Sequence, residues 1–199
     1  MKTENQIAII VAVLILILVS TGIFVIYGKE DPNEYIYNEF RVFKNPTIGY
    51  TIVAYINEQP YHLQLRNDPK STENITLSPN IRELILLKEA TVFTLDPDFN
   101  SIPVLGASEM ATILGRRMGI YNKRVFGAVT REPVNGTETT IVDCNNVNQK
   151  LNVIRLQIGP ETKVFLEKNN CIIVQGTDEW EIVRASDRLI YNVLEVIKD

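Results

Sequence analysis

The sequence predicts an α/β fold: one soluble domain with a mixed β-sheet and packed helices, preceded by an N-terminal transmembrane helix. Three observations carry that reading. From Ile7 to Tyr27 no residue is charged. Strand-like Thr91 to Leu95, a helical face of Ala107, Met110, Ala111, Leu114 and Met118, and strand-like Val125 to Val129 follow one another as in a crossover unit, whose strands are parallel. Last, the continuous apolar run Cys171 to Val174 reads as a strand buried in a sheet. The stripe Ile182, Ala185, Leu189, Ile190, Val193, Val196 and Ile197 reads as a helix packed on it.

The apolar run sets the domain plan. Its twenty-one residues, at ~1.5 Å each, reach ~31 Å as a helix, the thickness of a hydrocarbon core. A cleavable signal peptide has a shorter core of ~7–15 residues and small residues at its cut site, and Ile23 to Tyr27 offer no such pattern. A prepilin-type cut needs a Gly or Ala that Lys2 to Gln6 lack. A soluble helix is rarely apolar on every face for this length. The plan is therefore a cytosolic N-terminus at 1–6, a membrane span at 7–27, a juxtamembrane linker at 28–39 around Asp31-Pro32-Asn33, and an extracytosolic domain at 40–199. Lys2 and the terminal amine precede the span, whereas Lys29 stands among Glu30, Asp31 and Glu34, which favours a cytosolic N-terminus. Two further features favour the outer face for the domain. Asn74-Ile75-Thr76 and Asn135-Gly136-Thr137 are glycosylation sequons, and the only cysteines are Cys144 and Cys171.

Along the domain, Tyr50 to Ile56 and Tyr61 to Leu65 flank Asn57-Glu58-Gln59-Pro60 and read as a hairpin. Arg66 to Glu73 reads as a polar loop. Ser78-Pro79 reads as the cap and first turn of a short helix bearing Ile81, Leu84, Ile85 and Lys88. Beyond Pro133 the chain is β-rich: Thr139 to Val142, Val153 to Ile158 and Thr162 to Leu166. Gly176 closes the buried strand, and Thr177 is placed to cap a helix with Asp178 and Glu179 in its first turn. Cys144 follows one strand and Cys171 opens another, so neighbouring strands in one sheet would join them. The bond closes a loop of about 28 residues, worth ~3.5 kcal/mol in the chain-entropy picture. The alternative is two buried thiols in a reducing compartment.

The closing strand and helix, Cys171-Ile-Ile-Val-Gln-Gly176 followed by Ile182-Val-Arg-Ala-Ser-Asp-Arg-Leu189, resemble the ends of uncharacterised archaeal-type single-pass membrane-anchored envelope proteins. The resemblance is confined to these two segments. It implies an envelope location and brings no assigned chemistry.

Motifs for chemistry are sparse. His62 is the only histidine, so a Ser-His-Asp or Cys-His arrangement has to use it. The stretch Gly106-Ala107-Ser108-Glu109-Met110 lacks the last glycine of a nucleophile elbow. His62 therefore reads as an exposed residue of a hairpin strand. Two cysteines and one histidine have no zinc-site spacing, and no metal or other cofactor is expected. Asp96-Pro97-Asp98-Phe99-Asn100 begins like a calcium loop but has Ser101 and Ala107 where the loop's glycine and bidentate acid belong. Asp96 and Asp98 remain the candidate polar site, because acids just past a parallel strand lie where α/β folds place ligands. No nucleotide-binding glycine pattern occurs. Arg116, Arg117, Lys123 and Arg124 read as a solvated basic face at the end of the helix before them, and a net charge of −4 argues against a nucleic-acid partner.

These readings lead to a membrane-anchored, extracytosolic binding or scaffolding module of the cell envelope. Its expected partners are the bilayer, through Ile7 to Tyr27, and a cell-surface protein or glycan. The rival is an anchored hydrolase or transferase that uses Asp96 and Asp98 with a divalent cation. A subunit role inside the membrane has little to support it, since the span offers only Gly22 as a close-packing position.

Overall fold

A computed structural model describes residues 12–17, 19, 31–56, 58–133, 136 and 138–198. The chain divides into two compact units, Met1–Tyr35 and Ile36–Asp199. In the first, residues 12–17 and 19 are helical. Their large aliphatic side chains are all exposed, from 50% at Val13 to 70% at Leu16. The remainder of the span expected over Ile7 to Tyr27 lies outside the described residues. Among the described residues, no helix is long and apolar enough to cross a membrane.

The strands form two sheets. One is an antiparallel meander of β1 (Glu34–Tyr37), β2 (Phe40–Asn45), β3 (Gly49–Ile56) and β4 (Gln59–Leu65), in that order. Asn38 and Glu39, with φ of 44° and 72°, turn the chain between the first two strands; two successive positive φ values suit the twist of a tight hairpin. The linker expected to run to residue 39 thus contains a strand. Tyr35-Ile36-Tyr37 has the aromatic and β-branched residues that favour one, although acids and asparagines surround it. The hairpin of β3 and β4 forms as expected, with Val53 opposite His62 and Ile52 opposite Leu63. Alternation buries Leu63 and Leu65 and leaves His62 and Gln64 exposed.

The other sheet has six strands, in the order β5 (Thr76–Leu77), β9 (Lys163–Leu166), β10 (Ile172–Gly176), β8 (Leu151–Ile158), β6 (Ala90–Leu95) and β7 (Arg124–Val129). It is mixed: β9 and β10 are antiparallel, and every other pairing is parallel. Helix α3 (Ile102–Leu114) makes the crossover from β6 to its parallel neighbour β7. The strand expected at Thr139 to Val142 is reduced to one bridge between Ile141 and Val129. Beyond it the chain crosses the sheet face, where the Thr94 hydroxyl donates to Val142 O at 2.7 Å. Asp143 then caps a single 3-10 turn, Cys144–Asn146.

Two short helices fill the connections. The expected polar loop after β4 includes α1 (Pro69–Thr72), capped by Asp68. The helix expected after Ser78-Pro79 is α2 (Ile81–Leu87), but Asn80 in the left-handed region precedes it. Ser78 N donates to Val164 O, so that residue prolongs the sheet and does not cap the helix.

The last helix, α4 (Glu179–Val193), starts one residue later than the sequence suggests. Asp178, not Thr177, accepts the hydrogen bond from Glu181 N, and Asp is the stronger cap. Gly176 is required for this turn, since a Cβ there would lie 2.2 Å from Ile182 N. Residues 185–194 are all buried. The six-stranded sheet packs on one side of the helix; Asn67, just past β4, bonds Asp187, and Asn38, between β1 and β2, donates to Val196 O beyond the helix end. Helix α3 lies against α4 so closely that a Cβ at Gly106 would stand 2.5 Å from Ser186 Oγ.

The opposite face of the six-stranded sheet is covered by a strap. Val142, Cys144, Val147 and Phe165 pack on Val153, Cys171 and Ile173. Cys144 and Cys171 form the expected disulfide, with Cα atoms 5.3 Å apart. Cys144 reaches Cys171 from the 3-10 turn above the sheet, however, and not from a neighbouring strand.

Gly106→Ala tests the helix contact. It is expected to lower unfolding stability by about 1–3 kcal/mol through overpacking against Ser186, measured by urea denaturation. An unchanged midpoint would show that the two helices can part freely.

Candidate functional site

At the end of β4 the backbone turns toward the helices and delivers two polar residues to them. Arg66 Nε lies 2.9 Å from Glu109 Oε1 on α3. Asn67 donates twice to Asp187 Oδ2 on α4, from its backbone N and its Nδ2, each at 2.8 Å. The Tyr191 hydroxyl donates to Asn67 O, fixing the turn from the other side. Glu109 and Asp187 meet because α3 and α4 pack closely at Gly106 and Ser186, within one helical turn of both acids.

Glu109 and Asp187 are neighbouring buried acids. Glu109 Oε2 and Asp187 Oδ1 are buried without a hydrogen-bond partner. A single proton held between them would satisfy both orphan oxygens. Asp187 is completely buried. Burial first, and the Glu109 charge second, push its carboxyl up to about 8, against the hydrogen bonds from Asn67. Burial also raises Glu109, opposed by the Arg66 charge and the hydrogen bond with Asp187. Burial thus favours the protonated form of Asp187, while Glu109 is held by Arg66.

Above Glu109 opens a cleft of ≈ 340 Å³ lined by His62, Arg66, Ser108, Glu109, Thr112 and Arg117, among others. Arg66 and Glu109 neutralise one another. Arg117 is exposed and makes no ion pair with any described residue. The cleft therefore carries a surplus positive charge over a mixed floor, with hydroxyls at Ser108 and Thr112. That is the chemistry of an anion site with hydrogen-bonding capacity at its sides.

A larger hollow of ≈ 990 Å³ lies between the meander and the chain end. Its polar groups are turned on the protein itself. Tyr37 donates to Glu73 Oε1 at 2.6 Å, while Arg82 and Tyr121 both donate to Val193 O. Burial and Glu73 push the Tyr37 hydroxyl pKa upward, so it stays a donor. These groups hold the tail of α4 in place.

The residues singled out from sequence fall in several places. Asp96 and Asp98 do lie just past β6, where Asp96 Oδ1 accepts from Asp98 N at 2.9 Å. Both acids are engaged by Arg131, which approaches Asp96 at 2.9 Å and also bonds Asp98. This exposed ion pair occupies the position proposed for a cation. Among the described residues no group of three His, Cys, Asp or Glu is placed to hold a metal. His62 is exposed, as expected, and it borders the cleft. Asn74 is exposed, and its Oδ1 accepts from Arg184 Nη1 at 3.1 Å; Asn135 lies outside the described residues.

Of the basic run, Arg116, Arg117 and Arg124 are exposed as expected, and Lys123 is drawn inward. Helix α3 ends at Leu114, before that run begins. Lys123 donates to Leu86 O and Lys88 O, thereby closing the end of α2, and Arg124 pairs with Glu89 at 3.2 Å. Of the four cations, only Arg117 lines the cleft.

No family model matches the chain, and no curated protein or solved structure is found to be similar to it.

The raised Asp187 gives stability a pH dependence. Asp187 keeps its proton to a higher pH when folded than when unfolded, so the folded state binds more protons between the ordinary carboxylic range and about pH 8. Stability from this source is fully present below the unfolded value of ~3.9, declines as pH rises, and is lost above the folded value. The thermal midpoint is expected to fall between about pH 5 and pH 9. Asp187→Asn keeps a donor for Glu109 and an acceptor for Asn67, and is expected to flatten that slope. Parallel profiles for the two proteins would refute the raised Asp187.

Proposed function

We propose that the protein is a membrane-anchored module of the cell envelope whose domain stands outside the cytosol and binds an anionic group on a surface partner, such as the carboxylate of an acidic glycan. The observation that carries the binding assignment is the cleft, where Arg117 stands without an ion pair beside the neutralised Arg66–Glu109 pair. The anchor is supported by the helical residues 12–17 and 19. Six consecutive positions at 100° each point in every direction, and no apolar side chain among them is shielded from solvent. Such a helix suits hydrocarbon better than water. The Cys144–Cys171 bond supports the oxidising side of the membrane. The resemblance of the closing strand and helix to archaeal-type anchored envelope proteins points to the same place.

A second reading, an anchored hydrolase or transferase, is favoured by a different observation. Glu109 lines the cleft with the buried acid Asp187 behind it, and two acids in unlike environments can serve as a general acid and a carboxylate. The version of that reading that uses Asp96 and Asp98 with a divalent cation must first displace Arg131 from both.

Two measurements test the proposal. The full chain is expected to stay with the membrane pellet after alkaline carbonate, and protease added to intact spheroplasts should digest the domain. Release by carbonate, or full protection from the protease, would end the anchored, outward-facing reading. Glucuronate titrated onto the full chain in detergent is expected to shift the amide resonances of Arg66 and Arg117 saturably. Arg117→Ala should weaken that binding by about tenfold, as loss of a charge-assisted contact does. If Glu109→Gln removes an activity that Arg117→Ala spares, the catalytic reading replaces the binding one.

A further inference from the structure

After α1 the chain turns through Glu73 and Asn74 into β5, and Ile75 fixes how that turn is presented. Its side chain is 2% exposed, and its backbone N donates to Thr72 O at 3.1 Å. Asn74 and Thr76, on either side of this buried residue, are both exposed. The middle of the tripeptide Asn74-Ile75-Thr76 is therefore held from inside, while its amide and its hydroxyl stand in water.

The fold uses only half of the Asn74 amide. Asn74 Oδ1 accepts from Arg184 Nη1 at 3.1 Å, and the same Nη1 donates to Ser71 O at 2.7 Å. Arg184 is itself held by Glu181, through Nε at 3.0 Å and Nη2 at 2.8 Å. That clamp occupies the carbonyl side of the amide and sets its orientation. Asn74 Nδ2 donates to no described residue, and the Thr76 hydroxyl has no hydrogen bond among them either. The two groups that a sequon requires are thus the two that the fold leaves unused.

We propose that Asn74 carries an N-linked glycan, an inference that rests on the outward-facing reading of the domain. Its donor is an oligosaccharide joined through its anomeric carbon to a lipid phosphate. Nδ2 forms a bond to that carbon, the bond from the carbon to the phosphate oxygen breaks, one of the two Nδ2 protons is released, and the lipid phosphate leaves. Nothing is oxidised or reduced. The modified amide keeps its carbonyl, so the bond from Arg184 survives and the folded domain loses no contact. The glycan stands at the entry to β5, the outermost strand on that side of the six-stranded sheet, where its bulk and hydration oppose pairing with another chain.

The chain supplies its own contrast. Asn45-Pro46-Thr47, on the turn between β2 and β3, has the same acceptor and hydroxyl, and all three residues are exposed. A proline in the middle position excludes it as a sequon. Of these two exposed tripeptides, only the one at 74–76 meets the rule.

The test uses the full chain purified from the membranes of its own host. Peptide mass spectrometry is expected to find sugar residues on the peptide containing Asn74, with fragment ions that place them on that side chain. Thr76→Val keeps the β-branched shape suited to a strand and is expected to abolish the modification with an unchanged melting temperature, whereas Thr76→Ser keeps the hydroxyl and should retain it. Pro46→Ala completes a second sequon on the same domain, and Asn45 in that variant is expected to be modified too. An unmodified Asn74 beside a modified Asn45 overturns the site and leaves the outward-facing reading standing. If both are unmodified the proposal falls, and the protease accessibility of the domain decides whether that reading falls with it. Sugar that survives Thr76→Val also overturns the assignment.

Discussion

Helix α4 has no solvent face across residues 185–194, and most of the molecule is arranged around that fact. A helix with a sheet on one side and a neighbouring helix on another, and buried all round over these residues, cannot send its polar side chains to water. Asp187, Arg188 and Asn192 are nonetheless part of it, and all three are buried. An ionised carboxylate in such a place costs several kcal/mol, and a neutral acid with its hydrogen bonds made costs far less. The position of α4 thereby favours a protonated Asp187 and accounts for the two donors of Asn67. Arg66 follows, since the charge left on Glu109 needs a cation.

The six-stranded sheet faces a different constraint. Sheets of mainly parallel strands need cover on both faces, and here both long helices lie on one. Residues 139–147 supply the other cover, with Val142, Cys144 and Val147 over Val153, Cys171 and Ile173. A strap without a helix or strand of its own buries little area, which is where a covalent tie has most effect. The disulfide does that work at its far end, and the bond from Thr94 to Val142 O does it at the near end. The same strap bonds Val129 at one end of β7.

Elements whose signal is local were legible in the sequence. The β3–β4 hairpin, the β6–α3–β7 crossover and the β10–α4 ending each follow from alternation, period or a continuous apolar run within their own residues. Failures arose where the decisive partner was distant. Thr139 to Val142 has strand composition, but its hydrogen bonds are drawn to Val129 and Thr94 and it never gains a ladder. Strand β1 is too short to show alternation, and its pairing with β2 is fixed by the two left-handed residues between them. Asp187 stands off the apolar stripe of α4, so a helical wheel sends it to solvent; that this face meets Asn67 and α3 cannot be read from the helix. The partnership of Asp96 and Asp98 with Arg131 crosses more than thirty residues and leaves no mark in the motif.

The two acidic pairs of this fold therefore differ in consequence, although the sequence favours the wrong one. Asp96, Asp98 and Arg131 are all well exposed, and ion pairs of that kind contribute little and break readily in salt. Glu109 and Asp187 cannot rearrange without stranding a buried charge. Arg66 is fixed by Glu109, Asn67 by Asp187, and the Asn67 carbonyl by Tyr191, so the floor of the cleft is specified by three elements at once. A rigid floor under an exposed cation is the arrangement that lets a small anion bind without first ordering its site. The burial that made α4 difficult to accommodate is also what prepares the cleft.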